Sequence, residues 1–179
     1  MPRRTISVIV FISVCAAFVA AQGPAPKPGP EHQKLQYFVG KWSTTGEMKT
    51  NPFSPGGKMT ASDSCDWFQG GFAVVCHSEG KGPAGPMKSL GIMGYNSDQK
   101  VYTYYGLDNT GMVMMSAAKG TVKGDVWTFL DEGTMGGQPY TSRFTLKTGS
   151  PNSYTFSWEL QGQDKKWMPI LEGTSTRVK

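Results

Sequence analysis

The 179-residue sequence has only two histidines, His32 and His77, and three cysteines. So few imidazoles leave zinc without a ligand set and leave a haem without an axial histidine in the later part of the chain. No metal and no cofactor are expected. There is no C-x-x-C, and neither Cys65 nor Cys76 adjoins a helix N-terminus that would make it a reactive thiolate. A strained nucleophile turn is also missing, so no catalytic residue is assigned and the chain is not read as an enzyme. Leucine is scarce, whereas glycine reaches 23 residues and aromatics 12%. That balance disfavours helices and suits strands and turns. Charged residues make up 17% of the chain and the lysines are scattered, which is no nucleic-acid footprint.

What is there begins with a leader. Arg3 and Arg4 precede an apolar run from Ile6 to Val19 and the small residues Ala20 and Ala21, the three-part pattern of a secretory signal. Val19 and Ala21 take the minus-three and minus-one places for cleavage before Gln22. The run falls short of the about 20 apolar residues of a membrane span, although an uncleaved anchor is the alternative. Cys15 lacks a small residue before it, since Val14 stands there, and reads as filler of the apolar run rather than a lipid-anchoring cysteine. Of a twin-arginine signal only the pair and Ile6 fit, so general secretion is the reading. Cleavage lowers the formal charge from +5 to +3 and leaves no membrane segment. Roughly 155 residues remain, enough for one domain with a real core. The expected organisation is a signal peptide (1–21), a Pro-rich spacer (22–30) and a single domain (31–179), in a periplasmic or secreted protein.

Pro30 suits the first position of a helix, and residues 31–39, with Leu35, Phe38 and Val39 apolar, read as about two turns ended by Gly40. So short a helix needs a domain to lean on and would plug one end of a barrel. Beyond Gly40 the period is two. Trp42, Thr44, Gly46 and Met48 alternate with Ser43, Thr45, Glu47 and Lys49, and the series Tyr140/Ser142/Phe144/Leu146 and Tyr154/Phe156/Trp158/Leu160 repeat the pattern. Turn signals at Gly70-Gly71, Asn96-Ser97-Asp98, Lys123-Gly124, Gly136-Gly137 and Ser150-Pro151-Asn152 separate the segments. Strands are expected at 41–50, 57–68, 72–79, 88–95, 100–108, 112–122, 125–132, 138–147, 153–161 and 166–178. The fold class is therefore all-β, an antiparallel up-and-down meander of about ten strands. Closure into a barrel removes the open edges and covers the apolar face; a two-sheet sandwich is the alternative.

Several of these residues carry a resemblance. Pro30, Leu35, Gly40 and Trp42, the run from Trp67 to Gly70-Gly71-Phe72, Gly94-Tyr95-Asn96 with Lys100, Tyr102, Asp108 and Gly111, the run Gly120 to Asp125, and Glu172 with Arg177 resemble the bacterial domain-of-unknown-function family fifteen-seventy-nine. Its members are often secreted and its role is unassigned. Asn96 stands where that family usually has Asp, and Gly173 and Ser175 where larger residues are common. The Gly40-x-Trp42 start with Arg177 in the last strand is also similar to the lipocalin and fatty-acid-binding (calycin) superfamily. That likeness implies that Trp42 closes one barrel end with a cation packed across it. For function it is an analogy of fold.

Cys65 and Cys76 sit equally far from the Gly70-Gly71 turn and should face each other, as a disulfide in an oxidising compartment or as two core thiols. The same register sets His77 opposite Ser64 with Asp66 diagonal; alternation puts the three on the outer face, as surface polar residues rather than a triad. Gly80 to Gly85 spells G-x-G-x-x-G but has no parallel unit around it and reads as a flexible loop. Met93, Met112, Met114 and Met115 could offer thioethers to copper(I), but read first as adaptable cavity lining. Asp63 shares a face with Met59, Ala61, Cys65 and Trp67, so it should point inward and need a partner. Arg177 is the expected inward cation, Glu172 a second inward candidate, and Arg143 is expected outside. The candidate ligand-binding residues are Asp63, Trp67, Phe72, Tyr102, Tyr104, Phe144, Phe156 and Trp158, around a small, mainly apolar ligand. A solid barrel acting as a structural or interaction module is the competing reading, and an enzyme of unknown type the third. The sequence is silent on oligomeric state.

Overall fold

Inward-facing apolar residues at every second position lay down ten strands. They are β1 (Gly40–Met48), β2 (Gly57–Trp67), β3 (Ala73–Gly82), β4 (Gly85–Asn96), β5 (Val101–Asp108), β6 (Ala118–Lys123), β7 (Val126–Met135), β8 (Gln138–Ser150), β9 (Ser153–Gln161) and β10 (Trp167–Arg177). The computed structural model describes residues 25–51, 55–135, 137–162 and 164–179. The leader reading (1–21) and the first residues of the spacer lie outside the described residues. Every strand pairs antiparallel with the next, and β1 also pairs with β10, so the sheet closes into a barrel. A sandwich is excluded by that last pairing.

The closing seam is held at one end by Trp42 and Arg177, which are directly paired across β1 and β10. The Arg177 guanidinium lies 4.2 Å from the centre of the Trp42 ring, within the roughly 6 Å reach of a cation–π contact. Its Nη1 and Nη2 donate to the carbonyls of Val39 and Tyr37, each at 2.6 Å. Gly40 makes this approach possible: with φ at +124°, a Cβ there would sit 2.7 Å from Arg177 Nη1. Trp42 is 1% exposed, and its indole N–H donates to the Phe38 carbonyl at 2.8 Å. Further along the seam Gly46 pairs with Gly173, and the Phe156 ring covers the position where Gly173 lacks a side chain.

The plug spans nearly the expected residues but is more tightly wound than the two-turn helix expected. Helix α1 (Pro30–Gln33) passes at once into a 3₁₀ segment (Lys34–Phe38). A segment this short has few i to i−4 partners, and 3₁₀ bonding satisfies its orphan groups sooner. It caps the end reached by Trp42, with Leu35 and Phe38 buried. Around it Tyr102 OH donates to Glu31 Oε2 at 2.5 Å, and Trp67 Nε1 to Gln36 Oε1 at 2.8 Å. His32 meets Phe72 and Tyr95 edge-on, with centroids 5.2 and 5.5 Å apart.

Two other expectations are corrected at the far end. Residues 80–85 are not a loop, because β3 and β4 run on to Gly82 and Gly85, which pair across a two-residue turn. The strand expected at 112–122 is shorter, starting at Ala118; before it the Asp108 carboxylate accepts from Thr110 N, Thr110 Oγ1 and Met112 N and so shapes the turn. The turn returns the chain to β5 only briefly, through the bridge of Val113 to Leu107 and the bond from Met114 N to the Gly106 carbonyl, and β6 begins only at Ala118.

Cys65 and Cys76 are paired in register and joined by a disulfide. Ser64 faces His77 as expected, with His77 and Asp66 exposed. Arg143 lies outside, bonded to Glu159 at 2.8 Å and stacked 4.3 Å from the Trp167 ring centre. Glu172 also lies outside rather than inward: it pairs with Lys49 at 2.6 Å, because the β10 positions that face inward are Leu171 and Ser175, on either side of it in the alternation.

Candidate ligand-binding cavity

The barrel interior is uneven. On β2 to β6 many inward positions carry little or no side chain: Ala61, Ser78, Gly80, Ser89, Gly91 and Ala118. Facing them, β7 to β9 contribute Phe129, Phe144, Phe156 and Trp158. The large residues do not fill the space left by the small ones, and a cavity of about 290 Å³ remains. Tyr104 leans across the small side, because Gly91 and Gly106 beneath it have no Cβ; one added there would lie 3.2 or 3.3 Å from its hydroxyl. Its ring continues into Phe144 and Phe129 at centroid distances of 5.6 and 5.9 Å.

A polar cluster occupies the end nearest the plug. Thr44 Oγ1 donates to Asp63 Oδ2 at 2.5 Å, and Ser78 Oγ donates to Asp63 Oδ1. Thr44 and Ser175 hydroxyls meet at 2.7 Å, which extends the network onto β10. Arg177 is therefore not the partner of Asp63, contrary to expectation. It sits beyond Trp42 at the barrel end, and hydroxyls on the strands flanking Asp63 satisfy the carboxylate instead. Burial pushes the Tyr104 phenol above its usual range, with the Asp63 charge adding to it. Tyr154 is likewise raised, first by burial and further by Asp63, while a hydrogen bond with Ser175 opposes the shift.

A second polar group stands higher in the cavity. Asp131, only 8% exposed, accepts from Tyr140 OH at 2.9 Å, and Ser142 pairs with it in register. Burial, with the Asp131 bond second, pushes the Tyr140 phenol up to about 12.

Of the eight residues expected around a ligand, Asp63, Tyr104, Phe144, Phe156 and Trp158 line the cavity. Trp67, Phe72 and Tyr102 do not. They pack against α1 and the 3₁₀ segment at the plugged end. Met93, Met112 and Met114 line it too, joined by Met59 and Met87. Met114 Sδ accepts from Gly106 N at 3.1 Å, whereas Met115 is 87% exposed. Thr44, Ser78, Asp131, Tyr154 and Ser175 were missed as site residues. Their signal was available: Asp131 has the parity of Trp127 and Phe129, and Tyr154 that of Phe156 and Trp158. Among the described residues no group of His, Cys, Asp and Glu could hold a metal ion.

The same barrel is found in solved structures of low sequence similarity. Rv2717c from M. tuberculosis aligns with a TM-score of 0.59 at 12% identity, over 84% of this chain and 99% of that one. The S-type phycobiliprotein lyase CPES from Guillardia theta aligns with a TM-score of 0.61 at 10% identity, over 83% of this chain and 93% of the other. At these identities the likeness is one of fold. No curated protein matches the sequence. Residues 27–177 match the family described as "Protein of unknown function (DUF1579)", and the chain belongs to that family.

Proposed function

We propose that this protein is a ligand-binding barrel that holds one small, mainly apolar molecule and acts outside the cytoplasm. The cavity carries the reading: about 290 Å³, walled by aromatic rings and methionines, with polar groups gathered at two places. Ligand sites of roughly 300–1,000 Å³ have this mix of apolar wall and few convergent polar groups. A solid interaction module would fill this space, as the Phe129 and Phe156 rings do over Gly120 and Gly173; beside Ala61, Ser89 and Gly91 the space stays open. Export is supported by Arg3, Arg4 and the apolar run that follows, and by the Cys65–Cys76 disulfide, which belongs to oxidising compartments. No helix among the described residues is long and apolar enough to cross a membrane.

The test is titration with N-phenyl-1-naphthylamine, a neutral fluorophore whose emission rises in apolar surroundings. Saturable binding of one molecule per chain is expected. Ser89 lines the cavity on β4, so Ser89→Trp should occupy the space and weaken binding at least about tenfold, or 1.4 kcal/mol, with circular dichroism unchanged. Equal binding by a folded Ser89→Trp protein would place the probe elsewhere and count against the proposal.

A further inference from the structure

We infer that the ligand of this cavity is cationic, an apolar molecule carrying a protonated amine or another alkylammonium group. The inference rests on the ligand-binding reading above and adds the charge of the ligand to it.

The cavity lining includes two carboxyl groups, Asp63 and Asp131, and no lysine, arginine or histidine. The basic side chains nearest in the sequence pattern are committed elsewhere. Arg177 is bound to the carbonyls of the plug and to the Trp42 ring, Arg143 to Glu159 on the outer face, and Lys49 to Glu172. The partly buried Asp63 thus has hydrogen-bond donors but no counter-charge, and withdrawing a carboxylate from water without one is costly. An ammonium ligand supplies both the charge and up to three N–H donors. Its acceptors are at hand in the Asp63 oxygens and in the hydroxyl oxygens of Thr44 and Ser175, already linked into one network.

The walls favour the same sign. Ring faces attract cations, and Tyr104, Tyr154, Phe156 and Trp158 all border the cavity. The Tyr104 hydroxyl makes no hydrogen bond to any described residue, so its oxygen is available to a donor on the ligand. A fatty-acid carboxylate would meet two like charges and no compensating cation. The overall positive charge, +5 for the full chain and +3 without Arg3 and Arg4, would draw anions to the surface, so selectivity for a cation must arise from the interior.

The experiment displaces N-phenyl-1-naphthylamine from the full exported protein with three ligands of one chain length at neutral pH: octylamine, octanol and octanoate. Octylamine is expected to displace the probe at a concentration at least about tenfold below octanol, with octanoate weakest. In Asp63→Asn the preference for octylamine over octanol should disappear while octanol is still bound. Should that variant not fold, Asp131→Asn provides the same comparison, and its preference should narrow. Equal displacement by all three ligands, or a preference unchanged in the folded variants, overturns the cationic inference and leaves the cavity reading standing. Failure of the probe itself to bind overturns both.

Discussion

Trp42→Ala is expected to destabilise the barrel by about 3–5 kcal/mol, the range for removing a large buried aromatic side chain. Three losses coincide at this position. The indole is 1% exposed and packs against Tyr154 with centroids 4.9 Å apart. Its N–H bond to the Phe38 carbonyl ties the plug to β1, and its face carries the Arg177 guanidinium. Arg177→Ala should cost less, because water can replace part of its bonding to the Tyr37 and Val39 carbonyls. The two substitutions should not add: residues in contact couple by about 0.5–3 kcal/mol, and a cation–π contact supplies about 0.5–2 kcal/mol of that. Urea denaturation of the four members of the cycle measures it. Additive losses would mean that the seam between β1 and β10 does not depend on this contact.

Replacing both Cys65 and Cys76 by alanine is expected to cost about 2–3 kcal/mol in the chain-entropy account of a short closed loop. The half-cystines are 11 residues apart and face each other on β2 and β3, so the bond restrains the unfolded chain locally. Cys65 is also buried within the core cluster, which adds a packing loss. A chain of residues 22–179 lacks Cys15 and should show no free thiol to a labelling reagent in denaturant without reductant. Two labelled cysteines with unchanged stability would remove both the bond and the inference of an oxidising compartment drawn from it.

The parity of side chains along each strand is legible in this sequence because a barrel needs one apolar face per strand, and period-two alternation records it. Trp42, Asp63, Phe144 and Phe156 were placed inside on that ground alone. Parity does not give height along the barrel axis. Tyr102 and Tyr104 share a face, yet Tyr102 reaches the plug and Tyr104 the cavity; the difference is set by strand tilt and by where α1 docks. Trp67 and Phe72 went the same way as Tyr102. The turn at 109–111 is legible, but the late start of β6 is not: the methionine-rich segment looks strand-like, yet after Val113 bridges Leu107 its pairing with β5 lapses until Ala118. Matching charge with charge points Asp63 at Arg177, whereas Thr44 and Ser78 on the adjacent strands are its partners. Asp131 needs only its parity to be found, but beside Glu132, just before Gly133, it reads as one of two solvated carboxyls near a turn.

The central claim is that the barrel interior is a binding site for one small cationic, mainly apolar molecule. Native mass spectrometry of the protein with added octylamine tests it most directly, since bound stoichiometry is read as mass. The expected spectrum shows a single one-to-one adduct for the wild-type chain, greatly reduced in Ser89→Trp and in Asp63→Asn. A spectrum without an adduct, or one with adducts of equal abundance in the wild type and in Ser89→Trp, would contradict the account.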